Sequence, residues 1–286
     1  MKVADLFEKD GPALSFEFFP PKTPEQENKL FEVIRKLKQF NPDFVSVTYG
    51  AMGTTREKTF FWVNEIKTKY GLDPVAHLTC VAATKDDISR QIEELAKAGI
   101  ENLLALRGDP PDNQAEFVAP KDGFRYAREL IAFIKKHQPS ICLGCAGFPE
   151  GHPRTKSLEQ DIEYLKQKIE AGAEYVITQL FFDNRYFFEF TSRCRKAGIN
   201  VPIVPGIMPI TSLNQIKKFS ELCGATIPAE LLNKLENHPD DTRKIGAEHA
   251  LVQSQELLKA GTRGIHFFVM NQAEPISTIL SELHVH

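Results

Sequence analysis

Eight short apolar runs, separated by longer amphipathic stretches, are the feature that most limits the folds open to this chain. The runs are ALSFEFF (13–19), FVSVTYG (44–50), PVAHLTC (74–80), NLLALRG (102–108), ICLGCAG (141–147), YVITQLF (175–181), PIVPGIM (202–208) and GIHFFVM (264–270). The stretch TPEQENKLFEVIRKLKQF places Leu30, Val33, Ile34 and Leu37 at helical spacing. Two further stretches carry helix punctuation, Thr84 as N-cap with Gly99 at the end, and Ser157 as N-cap with Gly172 at the end. Residues 211–261 are too many for one helix and read as two or three, with turns at Ile227-Pro228 and His238-Pro239. Strands alternating with helices build βαβ units and a parallel sheet. Eight copies at even spacing predict closure into an α/β (β/α)8 TIM barrel, with extra helices before the eighth strand. The 286 residues fit one such barrel, and no linker or charge block divides them, so residues 1–286 read as a single domain.

Charge and motifs remove several function classes. A net charge of −3 gives no basic field, so nucleic acid is not the expected partner. No apolar run approaches the ~18 residues of a membrane span. The first 21 residues lack the apolar core of a signal peptide. Five cysteines, an odd number inside apolar or helical stretches, read as reduced thiols, and the expected location is cytoplasmic. There is no G-x-G-x-x-G after the first strand, no G-x-x-x-x-G-K-[ST] and no HExxH. Cys142 and Cys145 lie three apart in a strand, on opposite faces, without a second pair, so both read as core and no metal site is expected.

In such barrels chemistry sits at the C-terminal ends of the strands. Polar residues stand there: Glu17, Thr48, His77, Arg107 with Asp109, and Gln179. Glu17 lies among Phe16, Phe18 and Phe19. An apolar setting raises a carboxyl pKa and suits a general acid; alternatively the side chain turns outward or pairs with a basic neighbour. Arg107-Gly108-Asp109 can clamp an anion and accept hydrogen bonds from a heterocycle, or it is a strand-ending turn with its own ion pair. His77 and Thr48 enter only as members of the polar ring. His152 sits between Pro149 and Pro153. Asp161 and Lys168 share a helix face two turns apart, facing either a ribose and phosphates or solvent.

Taken together, the stretches around Ser15–Pro21, Phe44–Gly50, Ala76–Cys80, Ala105–Asp109, Gly172–Gln179, Pro205–Pro209 and His266–Phe268 resemble the methylenetetrahydrofolate reductase family, in family order along nearly the whole chain. The ordered set argues against another flavin barrel such as proline dehydrogenase; Glu17, Asp109 and Gln179 together count against a dead site, and a folate- or flavin-binding subunit that needs a partner to react stays open as the alternative. The resemblance implies a barrel that binds FAD without a Rossmann motif. It implies reduction by NADH or NADPH, then hydride transfer to methylenetetrahydrofolate in ping-pong fashion. It implies Glu17 and Asp109 as catalytic residues. Thr48, His77, Arg107, Asp109, Tyr126, Ala146, His152, Asp161 and Lys168 would hold FAD. Glu17, Asp109, Gln179 and Phe219 would meet substrate. Phe148 and Phe268 depart from the tyrosines expected there. The resemblance also implies self-association into a homo-oligomer, and an ending soon after the eighth unit implies no regulatory domain sensitive to S-adenosylmethionine.

Overall fold

The computed structural model describes residues 1–48, 56–109, 117–283 and 285. The expected strand end at Tyr49 and Gly50 and the Pro110-Pro111 turn lie outside them. Among the described residues nine parallel strands form one sheet: β1 (Ala13–Phe18), β2 (Phe44–Val47), β3 (Pro74–Thr79), β4 (Asn102–Leu106), β5 (Cys142–Gly147), β6 (Tyr175–Thr178), β7 (Ile203–Val204), β8 (Gly206–Ile207) and β9 (Gly264–Phe268). Their order is β7-β6-β5-β4-β3-β2-β1-β9-β8. The two ends of that order, β7 and β8, are joined by the single residue Pro205, so the ring closes through the chain itself. This is the (β/α)8 barrel with its seventh strand split.

The split corrects the reading of residues 202–208 as one strand. Proline has no N–H for the ladder and a fixed φ. Before it, β7 pairs with β6; after it, β8 pairs with β9. The Gly206 N–H turns to the Thr178 hydroxyl at 2.9 Å. A side chain at 206 would overlap the Thr178 carbonyl and the Phe268 ring, so glycine permits this closure.

α1 (Val3–Leu6) precedes β1, and the other helices come after strands: α2 (Pro24–Lys38), α3 (Arg56–Tyr70), α4 (Lys85–Lys97), α5 (Ala127–His137), α6 (Leu158–Glu170), α7 (Asn184–Lys196), α8 (Leu213–Cys223), α9 (Ala229–Asn237), α10 (Thr242–Lys259) and α11 (Ala273–Glu282). α8, α9, a 3-10 turn at Pro239–Asp241 and α10 are the extra segment before the last strand, broken at both expected turns. Thr84 and Ser157 cap as expected, accepting from Asp87 N at 3.2 Å and Gln160 N at 3.2 Å. The buried stripe of α2 is Leu30, Val33, Ile34 and Leu37.

Strand alternation sorts the core into two layers. Leu14, Phe16, Phe18, Val45, Val47, Ala76, Leu78, Leu103, Leu143 and Cys145 face outward to the helices. Ala13, Phe44, Val75, Leu104, Cys142, Tyr175 and Val204 fill the lower lumen, where Val3, Leu6 and Phe7 from the N-terminal segment plug the barrel. Cys142 and Cys145 therefore lie in different layers, both buried and free. Among the described residues no helix is long and apolar enough to cross a membrane.

Candidate active site

Above the apolar plug the lumen turns polar. Ser15 and Glu17 share the inward face of β1, while Phe16 and Phe18 point to the helices. The expectation of a carboxylate among phenylalanines is therefore corrected: intervening positions on a strand face opposite ways, so these neighbours in sequence are not neighbours in space. Glu17 Oε2 lies 3.4 Å from Ser46 Oγ on β2, 3.4 Å from His77 Nε2 on β3 and 3.5 Å from His266 Nε2 on β9. His266 Nδ1 meets Ser15 Oγ at 2.8 Å, and its ring stacks on Phe44 with 6.0 Å between centroids. Glu17 is 7% exposed and His266 fully buried.

The expected raised carboxyl pKa is corrected too. Burial pushes Glu17 up, but the contact from His266, the imidazoles of His77 and His266, and Ser46 together hold it below its ordinary 4.5. The His77 pKa is lowered as well: burial holds it below 6.5, against the pull of Glu17. Among the described residues no group of three His, Cys, Asp or Glu side chains is placed to hold a metal ion.

A second group stands on the rim, built by the ends of β4 and β5 and by α6. Lys168 Nζ donates to the Ala146 carbonyl at 2.5 Å and lies 5.9 Å from the Phe148 ring centre. Phe148 packs edge-on against His152 at 4.7 Å. His152 Nδ1 accepts from Arg154 N at 3.0 Å. Burial, then Arg107, Lys168 and Arg154, lower the His152 pKa to about 4. Arg107 is half-buried, and burial with the like charge of Arg154 lowers its pKa as well. Asp161, almost fully buried, is pushed up to about 6 by burial despite Lys168 and the His152 backbone N–H. Asp109 is exposed beside this group. Like charges held together without full compensation attract an anion.

The other expected residues occupy separate places on the rim. Thr48 N donates to Phe18 O at 3.0 Å, extending the β1–β2 pairing beside Glu17. Gln179 N donates to Gly147 O at 2.8 Å, and its side chain folds back to accept from Leu180 N at 2.9 Å. Tyr126 is 41% exposed at the start of α5, its ring under Arg125 and Arg128. Phe219 sits on α8, half-buried against the apolar cluster that includes Leu180, Phe182 and Met208. α8 reaches the rim at its other end: burial pushes the Cys223 thiol up to about 11 and the charge of Asp109 adds to it.

Ser15, Ser46, His266 and Arg154 were given no role by the sequence reading. The first three carried a signal: with Glu17 and His77 they are polar residues at alternate positions of otherwise apolar strands. Arg154 carried none, because a charged loop residue is ordinary.

With this geometry in view, the likeness to known proteins is informative. The family model described as methylenetetrahydrofolate reductase matches residues 2–284. The 5,10-methylenetetrahydrofolate reductase of Escherichia coli (strain K12) is 38% identical over 275 residues, covering 95% of this chain and 90% of that protein. Methylenetetrahydrofolate reductase (NADH) 1 of Arabidopsis thaliana is 35% identical over 295 residues, covering 99% of this chain, which spans 50% of that protein's length. Among solved structures, an uncharacterised protein from Clostridium thermocellum that binds two copies of 5-methyl-5,6,7,8-tetrahydrofolic acid aligns with a TM-score of 0.70 at 16% identity, covering 97% of this chain and 95% of that one. At that identity it speaks for the fold alone. The family match over residues 2–284 and the Escherichia coli relative settle the matter: the chain belongs to the methylenetetrahydrofolate reductase family.

Proposed function

We propose that this protein reduces methylenetetrahydrofolate to methyltetrahydrofolate with NADH or NADPH, using bound FAD in a ping-pong cycle. The observation that carries the reading is the pairing of a buried proton-transfer cluster, Ser15–His266–Glu17–His77, with a cationic rim of Arg107, Arg154 and Lys168. The residues fit a flavin dinucleotide on two structural grounds. The rim holds more positive charge than Asp109 and Asp161 offset, which suits a pyrophosphate. In the lumen, His77 Nε2 and His266 Nε2 find only Glu17, at 3.4 and 3.5 Å, and the buried Thr79 hydroxyl has no partner among the described residues. These are inward-facing polar groups without hydrogen-bond partners among the described residues, as a bound polar heterocycle would require.

When bound, FAD supplies the hydride chemistry; the protein positions, charges and protonates. Arg107 and Lys168, with Arg154, bind the anionic part, and Ala146, Thr48, Tyr126, His152 and Asp161 frame it. Gln179 and Phe219 bind the folate, for which Gln179 gives up its bond to Leu180 N. Asp109 accepts from the pterin. Glu17 protonates the bridging nitrogen of methylenetetrahydrofolate, opening the ring to an iminium that accepts hydride. In the ligand-free protein Glu17 is ionised at neutral pH. Substrate covering the pocket adds to burial, the one influence here that favours the neutral carboxyl. His266, held by Ser15 at 2.8 Å, faces Oε2 at 3.5 Å and orients the carboxyl group.

Purified protein should be yellow, bleach anaerobically with NADH or NADPH, and regain colour on adding methylenetetrahydrofolate. Bleaching without recovery would remove the folate half of the reading. Colourless protein that takes up no added FAD would remove all of it.

A further inference from the structure

Thr79 is the last residue of β3, on the inward face two positions beyond His77. Its outward-facing neighbours Ala76, Leu78 and Cys80 belong to the layer under the helices. It pairs in register with Leu106, one residue before Arg107, and Cys80 N continues that pairing to Arg107 O at 3.1 Å. The side chain is 5% exposed, and Oγ1 has no hydrogen-bond partner among the described residues. A threonine in a buried strand ordinarily bonds a nearby carbonyl. Here its carbon side is taken: a Cβ at position 108 would come within 3.1 Å of Thr79 Cβ and 3.4 Å of its methyl. Gly108, at φ +81, gives the space that lets the two strand ends close up in this way. Along the barrel wall Thr79 stands between His77 of the Glu17 cluster and the strand end that carries Arg107.

We infer that the Thr79 hydroxyl is a cofactor-binding group, reserved for a hydrogen bond to the polar edge of the flavin's heterocycle. The inference rests on the FAD reading above and adds a residue to it. A buried hydroxyl without a partner costs the ligand-free protein stability, and a ligand that satisfies it recovers that loss on binding. The two effects therefore have opposite signs in one substitution. Thr79→Val keeps the shape and removes the hydroxyl, so the apoprotein should melt at the same temperature as wild type or higher. Its affinity for FAD should fall about tenfold, the worth of one such bond at about 1.4 kcal/mol.

The test titrates FAD into apo wild type, Thr79→Val and Thr79→Ser by flavin fluorescence quenching, with melting curves of each apoprotein. Expected are the tenfold loss in Thr79→Val, retention within about threefold in Thr79→Ser, and no loss of apo melting temperature in Thr79→Val. Wild-type and Thr79→Val affinities within about twofold would overturn the assignment, as would a Thr79→Val apoprotein that melts several degrees lower, which would make the hydroxyl structural. Wild type that binds no FAD would sink the underlying reading, an outcome distinct from equal binding by the two proteins.

Discussion

Replacing His152 by Asn should change how stability depends on pH, in a direction set by burial and the rim cations together. Burial, then Arg107, Lys168 and Arg154, hold the His152 pKa at about 4, against an ordinary 6.5, with Asp109 opposing them. Between those pH values the unfolded chain binds a proton that the native protein resists, so this group makes stability rise with pH and fall as pH drops from 6.5 to about 4. A gap of about 2.5 pH units would be worth about 3.4 kcal/mol if fully expressed. His152 is only partly buried, and water screens the repulsion, so about 1–2 kcal/mol is expected. Asp161 acts in the opposite sense: its pKa is raised from 3.8 to about 6, so its contribution is present at low pH and lost as pH rises through 6. The wild-type curve mixes both, and the difference between wild type and variant isolates the histidine. Asn retains an acceptor for Arg154 N, which limits structural loss. The assay is urea unfolding of wild type and His152→Asn at steps from pH 4 to 7. Wild type should lose about 1–2 kcal/mol relative to the variant on going from pH 6.5 to 4. Parallel curves across that window would refute the claim that burial and the rim cations together keep this imidazole neutral.

Two other perturbations bear on the scaffold. Tyr175 is fully buried, its hydroxyl without a partner among the described residues, so Tyr175→Phe should leave the melting temperature unchanged or raise it; a drop of several degrees would show an unseen bond. Asn271 sits at φ 52 and grips the residue two beyond Glu17 with both ends of its amide, accepting from Phe19 N at 3.0 Å and donating to Phe19 O at 2.8 Å. Asn271→Ala loses both bonds and a side chain that tolerates the left-handed region, so about 2–3 kcal/mol should be lost in denaturant unfolding, and a loss below about 0.5 would deny the clamp a role.

Period and punctuation made the barrel legible. Alternating strands and helices, the Thr84 and Ser157 caps, and the two turns before α10 all stand in the structure where the residues place them. Pro205 was in view too, but its consequence was not: whether a proline bends a strand or divides it between two partners depends on what lies alongside, here β6 and β9. The site was half legible. Polar strand ends identified Glu17, His77 and Arg107, because a polar residue in a buried strand needs a reason. The environment of Glu17 was misread because sequence neighbours were taken for spatial ones. Its real neighbours, Ser46, His77 and His266, come from three other strands, and Ser46 and His266 are 29 and 249 residues away. The same distance hid the Ser15–His266 bond, which joins the two sides of the seam between the first and last strands.

The central claim is that Glu17 delivers the proton that makes the folate a hydride acceptor, and stopped-flow half-reactions of Glu17→Gln test it most directly. Flavin reduction by NADH or NADPH should proceed within a few-fold of wild type, whereas reoxidation by methylenetetrahydrofolate should slow by at least about a hundredfold, the usual worth of a general acid. Reoxidation at the wild-type rate would contradict the account.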